Sequence, residues 1–270
     1  CTAGYGVLNP PRSDLSGLMQ QVARGERVSA ATRSGKIHGP AAGPARPTPG
    51  QAPAPTPAPG PGGAGTRKIH GRQVTAIGDS VMLAAAQELH SVLPGVYIDA
   101  QVSRQMAAGL TEVSSLATEG LLRRVVIVGL GTNGTVTSGQ IRSLLAEIGP
   151  SRRLVLVNTY EARPWEHADN GVIGAAARKY PNVVLANWHA TIAHRTSLLW
   201  GDGVHPRPSG ARLYAKVVAA AVQATASVPP GGQSRADAGP TAGPGPAPGG
   251  TGGPSPTPSS SAGHSGPAAG

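Results

Sequence analysis

The sequence predicts an α/β domain, a three-layer sandwich in which a five-stranded parallel sheet lies between two layers of helices. Two observations predict this fold. Across residues 72–226, short apolar runs rich in β-branched residues alternate with longer segments of helical periodicity. Each predicted strand is followed by a helix, which is typical of a parallel sheet covered on both faces.

Strands and helices are predicted in strict alternation. The strands are residues 73–77, 95–102, 123–130, 152–160 and 182–188. The helices are residues 80–93, 104–117, 137–148, 170–180 and 208–226. The third strand has an unbroken β-branched run, "VVIV", as expected for a strand buried on both faces. Because pockets in such sheets open at the carboxyl ends of the strands, the residues that follow each strand are the candidates for chemistry.

Composition divides the chain into four regions. Gly (39) and Pro (27) make up about a quarter of the 270 residues and are concentrated outside the predicted domain. We predict an N-terminal segment with a short helix (1–38), a Pro/Ala/Gly-rich linker (39–71), the domain itself (72–226) and a disordered Gly/Pro/Ser-rich tail (227–270). Neither the linker nor the tail has the apolar periodicity needed to bury surface against the entropy of the chain.

The positive charge is concentrated at the front of the chain. The net charge is +10, and residues 1–72 hold nine Lys or Arg against two acidic residues. A basic, extended segment suits an anionic surface such as lipid headgroups or wall polymers, although a merely solvated linker is an equal alternative. No aromatic residues are interleaved with the basic ones, so nucleic acid is not an expected partner.

Cys1 is the one cysteine, so no disulfide can form within the chain. No run of eighteen apolar residues is present. Cys1 is either a lipidation site exposed by signal cleavage or the first residue after a membrane helix, and the sequence does not separate these alternatives.

Four polar residues follow predicted strands at the expected pocket. Ser80 lies in "GDS" after the first strand, Asn133 in "GLGTNG" after the third, and Asp202 and His205 in "DGVH" before the last helix. A serine hydroxyl becomes a nucleophile when a base removes its proton. His205 can be that base if Asp202 holds its ring in one tautomer. Asn133 offers side-chain N–H groups to a developing oxyanion.

Other polar and aromatic residues have simpler interpretations. Asp79 is expected to hydrogen-bond within the turn before Ser80. His189 and His194 have no converging Cys or acidic residue, so a metal site is not expected. Trp200 stands just before the "DGVH" loop, where it could pack beneath His205.

Five stretches of the sequence carry a resemblance to a known family. They are "AIGDSVML" (76–83), "YIDAQVSRQ" (97–105), "VGLGTNG" (128–134), "NTYEARPWEHADN" (158–170) and "DGVHPRPSGARLYA" (202–215). Residues 72–226 resemble the SGNH (GDSL-type) hydrolases, with their flavodoxin-like sheet. They are most similar to the extracytoplasmic SGNH domain attached to membrane acyltransferases of family 3, such as bacterial peptidoglycan O-acetyltransferases.

The resemblance implies a role for each candidate residue. Ser80 would be the nucleophile, Asp202 and His205 the acid and base, and the Ser80 N–H and Asn133 side chain would line the oxyanion hole. Many family members complete that hole with a backbone N–H of a glycine, and here Arg104 or its neighbour Ser103 takes that position. The side chain of Arg104 could also steer an anionic or carbonyl-bearing substrate, or simply be solvated.

The resemblance also implies the setting and the reaction. The N-terminal helix would be juxtamembrane-like, and the domain would act on the extracytoplasmic face of the plasma membrane in a bacterial cell envelope. It would be a serine O-acyltransferase that passes an acyl group, plausibly acetyl, from an integral membrane acyltransferase domain or subunit to a cell-envelope polysaccharide. No metal or bound cofactor is implied. The alternatives are a secreted esterase of the same fold and a non-catalytic wall-associated module.

Overall fold

The computed structural model describes residues 12–35 and 68–228. Cys1, most of the predicted linker and nearly all of the predicted tail lie outside the described residues. The division of the chain at residues 38, 71 and 226 stays a prediction.

Five parallel strands form one sheet. They are β1 (Val74–Gly78), β2 (Tyr97–Ala100), β3 (Val125–Gly129), β4 (Arg153–Val157) and β5 (Val183–Ala186). The strand order is β2-β1-β3-β4-β5, so β2 and β5 are the edges. All four pairings are parallel. The predicted fold class is confirmed.

Within residues 12–35 and 68–228, eight α-helices surround the sheet. They are α1 (Arg12–Arg33), α2 (Ser80–Ala84), α3 (Ala86–Val92), α4 (Met106–Thr118), α5 (Ser138–Ile148), α6 (Glu166–Lys179), α7 (Trp188–Ile192) and α8 (Pro208–Ala224). None of these described helices combines the length and hydropathy that a membrane crossing requires.

Alternate residues of the strands pack into two separate hydrophobic cores. On β3, Val125 and Ile127 pack with residues of α1, α2, α3, α7 and α8, whereas Val126 and Val128 pack with residues of α4, α5 and α6. Successive side chains of a strand point to opposite faces, so this division places a helical layer on each face of the sheet. Every residue of β3 is buried, as its β-branched run predicts.

Several boundaries differ from the sequence prediction. The single helix predicted for residues 80–93 is divided at Ala85, whose φ of −104° and ψ of 2° leave the helical region. Helix α6 begins four residues earlier than predicted, at Glu166. The end of the fifth predicted strand, at Trp188, is instead the start of the short helix α7.

Helix α1 packs directly on the edge strand β2. The Thr32 hydroxyl accepts a hydrogen bond from the backbone N–H of Ile98 at 3.0 Å and donates to the Ile98 carbonyl at 3.1 Å. The Ser29 hydroxyl accepts from the N–H of Ala100 at 3.3 Å. This helix was predicted in a segment outside the domain. In the structure it packs on the sheet, and these buried hydroxyls form hydrogen bonds with β2.

Candidate active site

Ser80 lies at the start of a helix that follows β1, an interior strand of the sheet. Asp79 caps that helix, because its Oδ1 accepts a hydrogen bond from the backbone N–H of Val81 at 2.9 Å. Ser80 is the first helical residue and is 6% exposed. The first N–H groups of a helix have no intrahelical partner, so the Ser80 backbone offers a donor next to its own hydroxyl.

Asp202 and His205 lie on a tight loop before α8. The Oδ2 atom of Asp202 lies 2.6 Å from Nδ1 of His205. Its Oδ1 accepts from the backbone N–H groups of Val204 and His205, at 2.9 and 3.0 Å. Gly203 adopts φ 71°, a left-handed conformation that a side chain would strain, and this lets the chain fold back so that the carboxylate meets the ring.

The environment keeps Asp202 ionised. Burial alone would raise the pKa of Asp202, but hydrogen bonds from the His205 ring and the backbone N–H of Val204 outweigh it and hold that pKa below its ordinary value. An ionised Asp202 accepts from Nδ1–H, which leaves Nε2 of His205 as the proton acceptor on the far side of the ring.

The His205 ring and the Ser80 hydroxyl are in contact although they lie 125 positions apart in the sequence. Nε2 of His205 lies 2.9 Å from Oγ of Ser80. Three groups on two separate segments therefore form one continuous hydrogen-bonded chain, Asp202–His205–Ser80. Such a chain has the geometry that lets a serine lose its proton while it attacks a carbonyl carbon.

Asn133 lies in the loop after β3 and approaches the loop after β2. Its Nδ2 lies 3.5 Å from the carbonyl oxygen of Arg104, at the outer limit of a hydrogen bond. Gly131 and Gly134 on either side adopt φ 135° and 152°, which permit the sharp bend. The indole N–H of Trp165 donates to the carbonyl of Gly131 at 3.0 Å and fixes the loop from behind.

Curated proteins are similar to this chain in sequence over about half of its length. No protein-family model matches the chain. YrhL of Bacillus subtilis (strain 168) is 34% identical over 152 residues, 56% of this chain and 24% of that protein. The peptidoglycan O-acetyltransferase OatA of Listeria monocytogenes is 34% identical over 151 residues, with the same two coverages. The chain thus spans about a quarter of the length of the curated relatives it matches.

A solved structure decides the fold. The C-terminal catalytic domain of peptidoglycan O-acetyltransferase A from Streptococcus pneumoniae, with a methylsulfonyl adduct, matches with a TM-score of 0.55 and 24% identity. The match covers 59% of this chain and 97% of that domain. This chain has the fold of that catalytic domain. Its homologues are peptidoglycan O-acetyltransferases, and the resemblance predicted from the sequence is confirmed.

The Arg104 side chain is buried and forms an ion pair with Asp99. Its guanidinium is buried, with Nη2 2.9 Å from Oδ1 of Asp99 and Nη1 2.6 Å from the Asp99 carbonyl oxygen. The solvated side chain considered for Arg104 is not observed, because the guanidinium is buried and paired with Asp99. A role of this side chain in steering the substrate stays a prediction. The backbone N–H of Arg104 donates to the Gln101 carbonyl at 3.3 Å. A role for that N–H in the oxyanion hole stays a prediction.

Ser103, the other residue proposed at that position, has an unusual backbone. Its φ of 60° makes it the only non-glycine residue with positive φ in the part of the chain that the structure describes. Left-handed backbone at a residue other than glycine is uncommon and strained, and such residues cluster at functional sites. The strain lies in the loop where the family uses glycine.

Asp79 is a structural residue of the turn, as predicted, and it is fully buried. Burial raises the pKa of Asp79 to about 6, against the opposing effects of the Val81 N–H, the Thr132 side chain and the charge of His205. Its carboxyl group helps to line a small cleft with Asn158, Tyr160 and Trp188. A second, buried acidic group therefore lies next to Ser80.

His189 and Trp200, which the sequence singled out, lie outside the hydrogen-bonded chain Asp202–His205–Ser80. Nε2 of His189 lies 3.1 Å from Oε1 of Glu166. Among residues 12–35 and 68–228, no group of His, Cys, Asp and Glu is arranged to hold a metal ion. Trp200 contacts helix α1, because its indole N–H donates to Oε1 of Gln21 at 3.2 Å.

Sequence reasoning missed Glu161, which lies in the loop after β4 and is 2% exposed. Burial raises the pKa of Glu161 to about 8, and the neighbouring carboxyl group of Glu166 adds to this. The carboxyl group is thus mainly protonated at neutral pH. The only sequence signal was its place at the carboxyl end of a strand, within "NTYEARPWE".

Proposed function

We propose that the SGNH domain is a serine O-acyltransferase that moves an acyl group, acetyl by the names of its relatives, to a glycan hydroxyl. The observation that carries the proposal is the chain Asp202–His205–Ser80, with contacts of 2.6 and 2.9 Å. It places an activated hydroxyl at a helix N-terminus, where negative charge is favoured.

The first half of the reaction forms an ester on Ser80. Oγ of Ser80 attacks the acyl carbonyl carbon while Nε2 of His205 takes the hydroxyl proton. The carbonyl oxygen becomes an oxyanion. When this tetrahedral species collapses, the bond between the acyl carbon and the donor oxygen breaks, and the donor leaves with the proton held by His205.

The oxyanion needs donors at the place where its charge develops. The Ser80 backbone N–H and an N–H of the Asn133 amide supply two. The amide nitrogen of Asn133 has two hydrogens, so its contact with the Arg104 carbonyl leaves the second for the oxyanion. Each such donor contributes on the order of 3 kcal/mol to lowering the barrier.

The second half of the reaction releases the acyl group. A hydroxyl of the acceptor attacks the ester carbon and gives its proton to Nε2 of His205. The bond from that carbon to Oγ of Ser80 breaks, and His205 returns the proton to Oγ. The free hydroxyl is restored and the acceptor holds the ester.

The setting is also part of the proposal. The curated relatives are about four times longer than their matching part. An integral membrane acyltransferase domain or subunit would supply the acyl group, and the SGNH domain would act on the extracytoplasmic face of the plasma membrane. The acceptor would be a cell-envelope polysaccharide, as the name of the Listeria monocytogenes relative suggests.

Mass spectrometry with an activated acetyl ester tests the proposal. The protein is incubated with the ester, with and without chitooligosaccharides, and acetylated sugar and free acetate are measured. We expect acetylated sugar with wild type and none with Ser80→Ala. Ser91→Ala, which changes an exposed serine of α3, is the matched control and should behave as wild type.

A fluorophosphonate probe separates the alternatives. The transferase proposal predicts labelling of Ser80 that is lost in His205→Ala. Labelling with release of acetate alone, at a rate independent of the sugar, would show an esterase and overturn the transferase. A wild-type protein that is neither labelled nor acetylated would be a non-catalytic module.

A further inference from the structure

The loop that carries His205 is closed on itself like a short hairpin. The backbone N–H of Trp200 donates to the carbonyl of His205 at 2.8 Å, and the N–H of Arg207 donates to the carbonyl of Leu198 at 2.8 Å. The position of His205 therefore depends on how residues 198–207 are held as a unit.

Helix α1 holds this unit through Gln21. The side-chain amide nitrogen of Gln21 donates to the Pro206 carbonyl at 2.9 Å and to the Ala84 carbonyl at 2.6 Å. Its side-chain oxygen accepts from the indole N–H of Trp200 at 3.2 Å. Pro206 follows His205 directly, and Ala84 ends the five-residue helix that begins at Ser80. One side chain thus bridges the serine helix and the histidine loop.

Asp14 anchors the same loop from another side. Its Oδ2 accepts from Nη2 of Arg207 at 2.7 Å. The Arg207 guanidinium also donates from Nε to the Leu199 carbonyl at 2.8 Å and lies 4.6 Å over the Trp200 ring. A guanidinium fixed by a carboxylate, a carbonyl and a ring has little freedom to rotate.

Close packing of backbones makes these contacts possible. A Cβ atom at Gly17 would overlap the Trp200 ring, and one at Gly25 would overlap the Leu83 carbonyl group. Glycine at these two positions lets α1 approach both the histidine loop and helix α2. Helix α1 therefore contacts both segments that carry the Ser80–His205 pair, the serine helix and the histidine loop.

We infer that helix α1 is a built-in support of the acyl-transfer site and that Gln21 and Asp14 are positioning residues, which hold the His205 loop against the Ser80 helix. This inference rests on the proposed function. Gln21 and Asp14 act through the backbone of Pro206 and the side chain of Arg207. A misplacement of about 1 Å between reacting groups can lower a rate by roughly two orders of magnitude.

Kinetics of the full chain with Gln21→Met tests the inference. Methionine keeps the length of the side chain and removes its three hydrogen bonds. We expect kcat for acetyl transfer and the rate of fluorophosphonate labelling to fall by about tenfold or more, with KM nearly unchanged. We also expect the pH profile of kcat/KM to shift, because the His205 environment changes. Gln20→Ala, an exposed neighbour on the same helix, is the control and should match wild type.

A second variant guards against loss of the fold. Asp14→Asn removes the charge opposite Arg207 at a partly exposed position, and Asp14→Glu should restore part of the lost kcat. If Gln21→Met lowers the melting temperature together with activity, the loss of activity could come from unfolding alone. The kcat and labelling rate of Asp14→Asn then test the inference. Wild-type kcat and labelling in Asp14→Asn and in a folded Gln21→Met would overturn the inference. Failure of wild type itself to be labelled would instead refute the proposed function.

Discussion

Asp202 holds His205 at two points, with Oδ2 2.6 Å from the ring Nδ1 and Oδ1 3.0 Å from the backbone nitrogen. The first contact sets the tautomer of the ring, and the second sets the position of the residue. The same carboxylate therefore decides where the imidazole lies and which of its nitrogens can accept the proton of Ser80.

Asp202→Asn separates these two effects. The asparagine oxygen can still accept from the backbone, but its NH₂ group would face Nδ1 and place the ring proton on Nε2, which can then no longer accept from Ser80. We expect kcat to fall by roughly 10³- to 10⁴-fold while the melting temperature changes little. Steady-state kinetics and thermal denaturation measure both. A variant with near-normal kcat would show that Asp202 is not needed to orient the ring.

Asn133→Ala removes a proposed oxyanion donor. We expect kcat to fall by roughly 10²- to 10³-fold, because the lost N–H would stabilise charge that exists only in the transition state. Thr135→Ala, at an exposed position of the same loop, is the control. Acetyl transfer within about threefold of wild type in Asn133→Ala would remove Asn133 from the mechanism.

Arg104 and Arg33 bind the same carboxylate oxygen of Asp99 but differ in burial. Their side chains are 6% and 42% exposed, and both contacts are shorter than 3 Å. Arg104→Ala would leave Asp99 buried without its main partner, so we expect a loss of about 3–5 kcal/mol in the free energy of unfolding. Arg33→Ala should cost less than about 1 kcal/mol, because the Arg33 side chain is 42% exposed and Asp99 keeps the buried Arg104 as a partner.

Chemical denaturation of the two arginine variants compares these costs. Equal costs would mean that burial does not govern the Asp99 pairs. A small effect of both would mean that Asp99 is neutralised by another group when Arg104 is absent.

Glu161 makes stability depend on pH. The pKa of Glu161 is raised from 4.5 to about 8 in the folded protein. Between these values the folded state binds a proton that the unfolded state has released, so stability falls as pH rises through this window. Glu161→Gln mimics the protonated form and should raise the melting temperature at pH 9 by on the order of 5 °C, with little effect at pH 5.

Melting curves from pH 5 to 9 test this prediction, with Glu147→Gln at an exposed site as the control. Parallel pH profiles for wild type and Glu161→Gln would show that the Glu161 carboxyl group is not the source of the dependence.

The sequence predicted the strands and the residues at their ends for one physical reason. Buried parallel strands must be apolar on both faces, and their carboxyl ends must share one edge of the sheet. Ser80 and Asn133 follow β1 and β3, and the sequence predicted both at this shared edge. The structure adds that β1 and β3 are neighbours in the sheet. His205 could be added because a proline-braced loop preceded the last helix.

Contacts between distant polar groups could not be predicted in the same way. Helix α1 contributes Val22 and Val28 to an apolar core, but its contacts through glycines and through the hydroxyls of Ser29 and Thr32 produce no apolar periodicity. The partner of Arg104 is a buried carboxylate on the edge strand, and nothing in the local sequence distinguishes Asp99 from a solvated residue. The early start of α6 was missed because Trp165 at its N-cap makes no side-chain capping bond.

The hydroxyls that α1 places along β2 have a consequence for aggregation. An edge strand with unpaired backbone groups is a template onto which a strand of another molecule can add, and this is a common route to aggregation. Here the outward N–H groups of Ile98 and Ala100 are already taken by Thr32 and Ser29. These two backbone N–H groups are therefore not available to a strand of another molecule, because helix α1 covers this edge of the sheet.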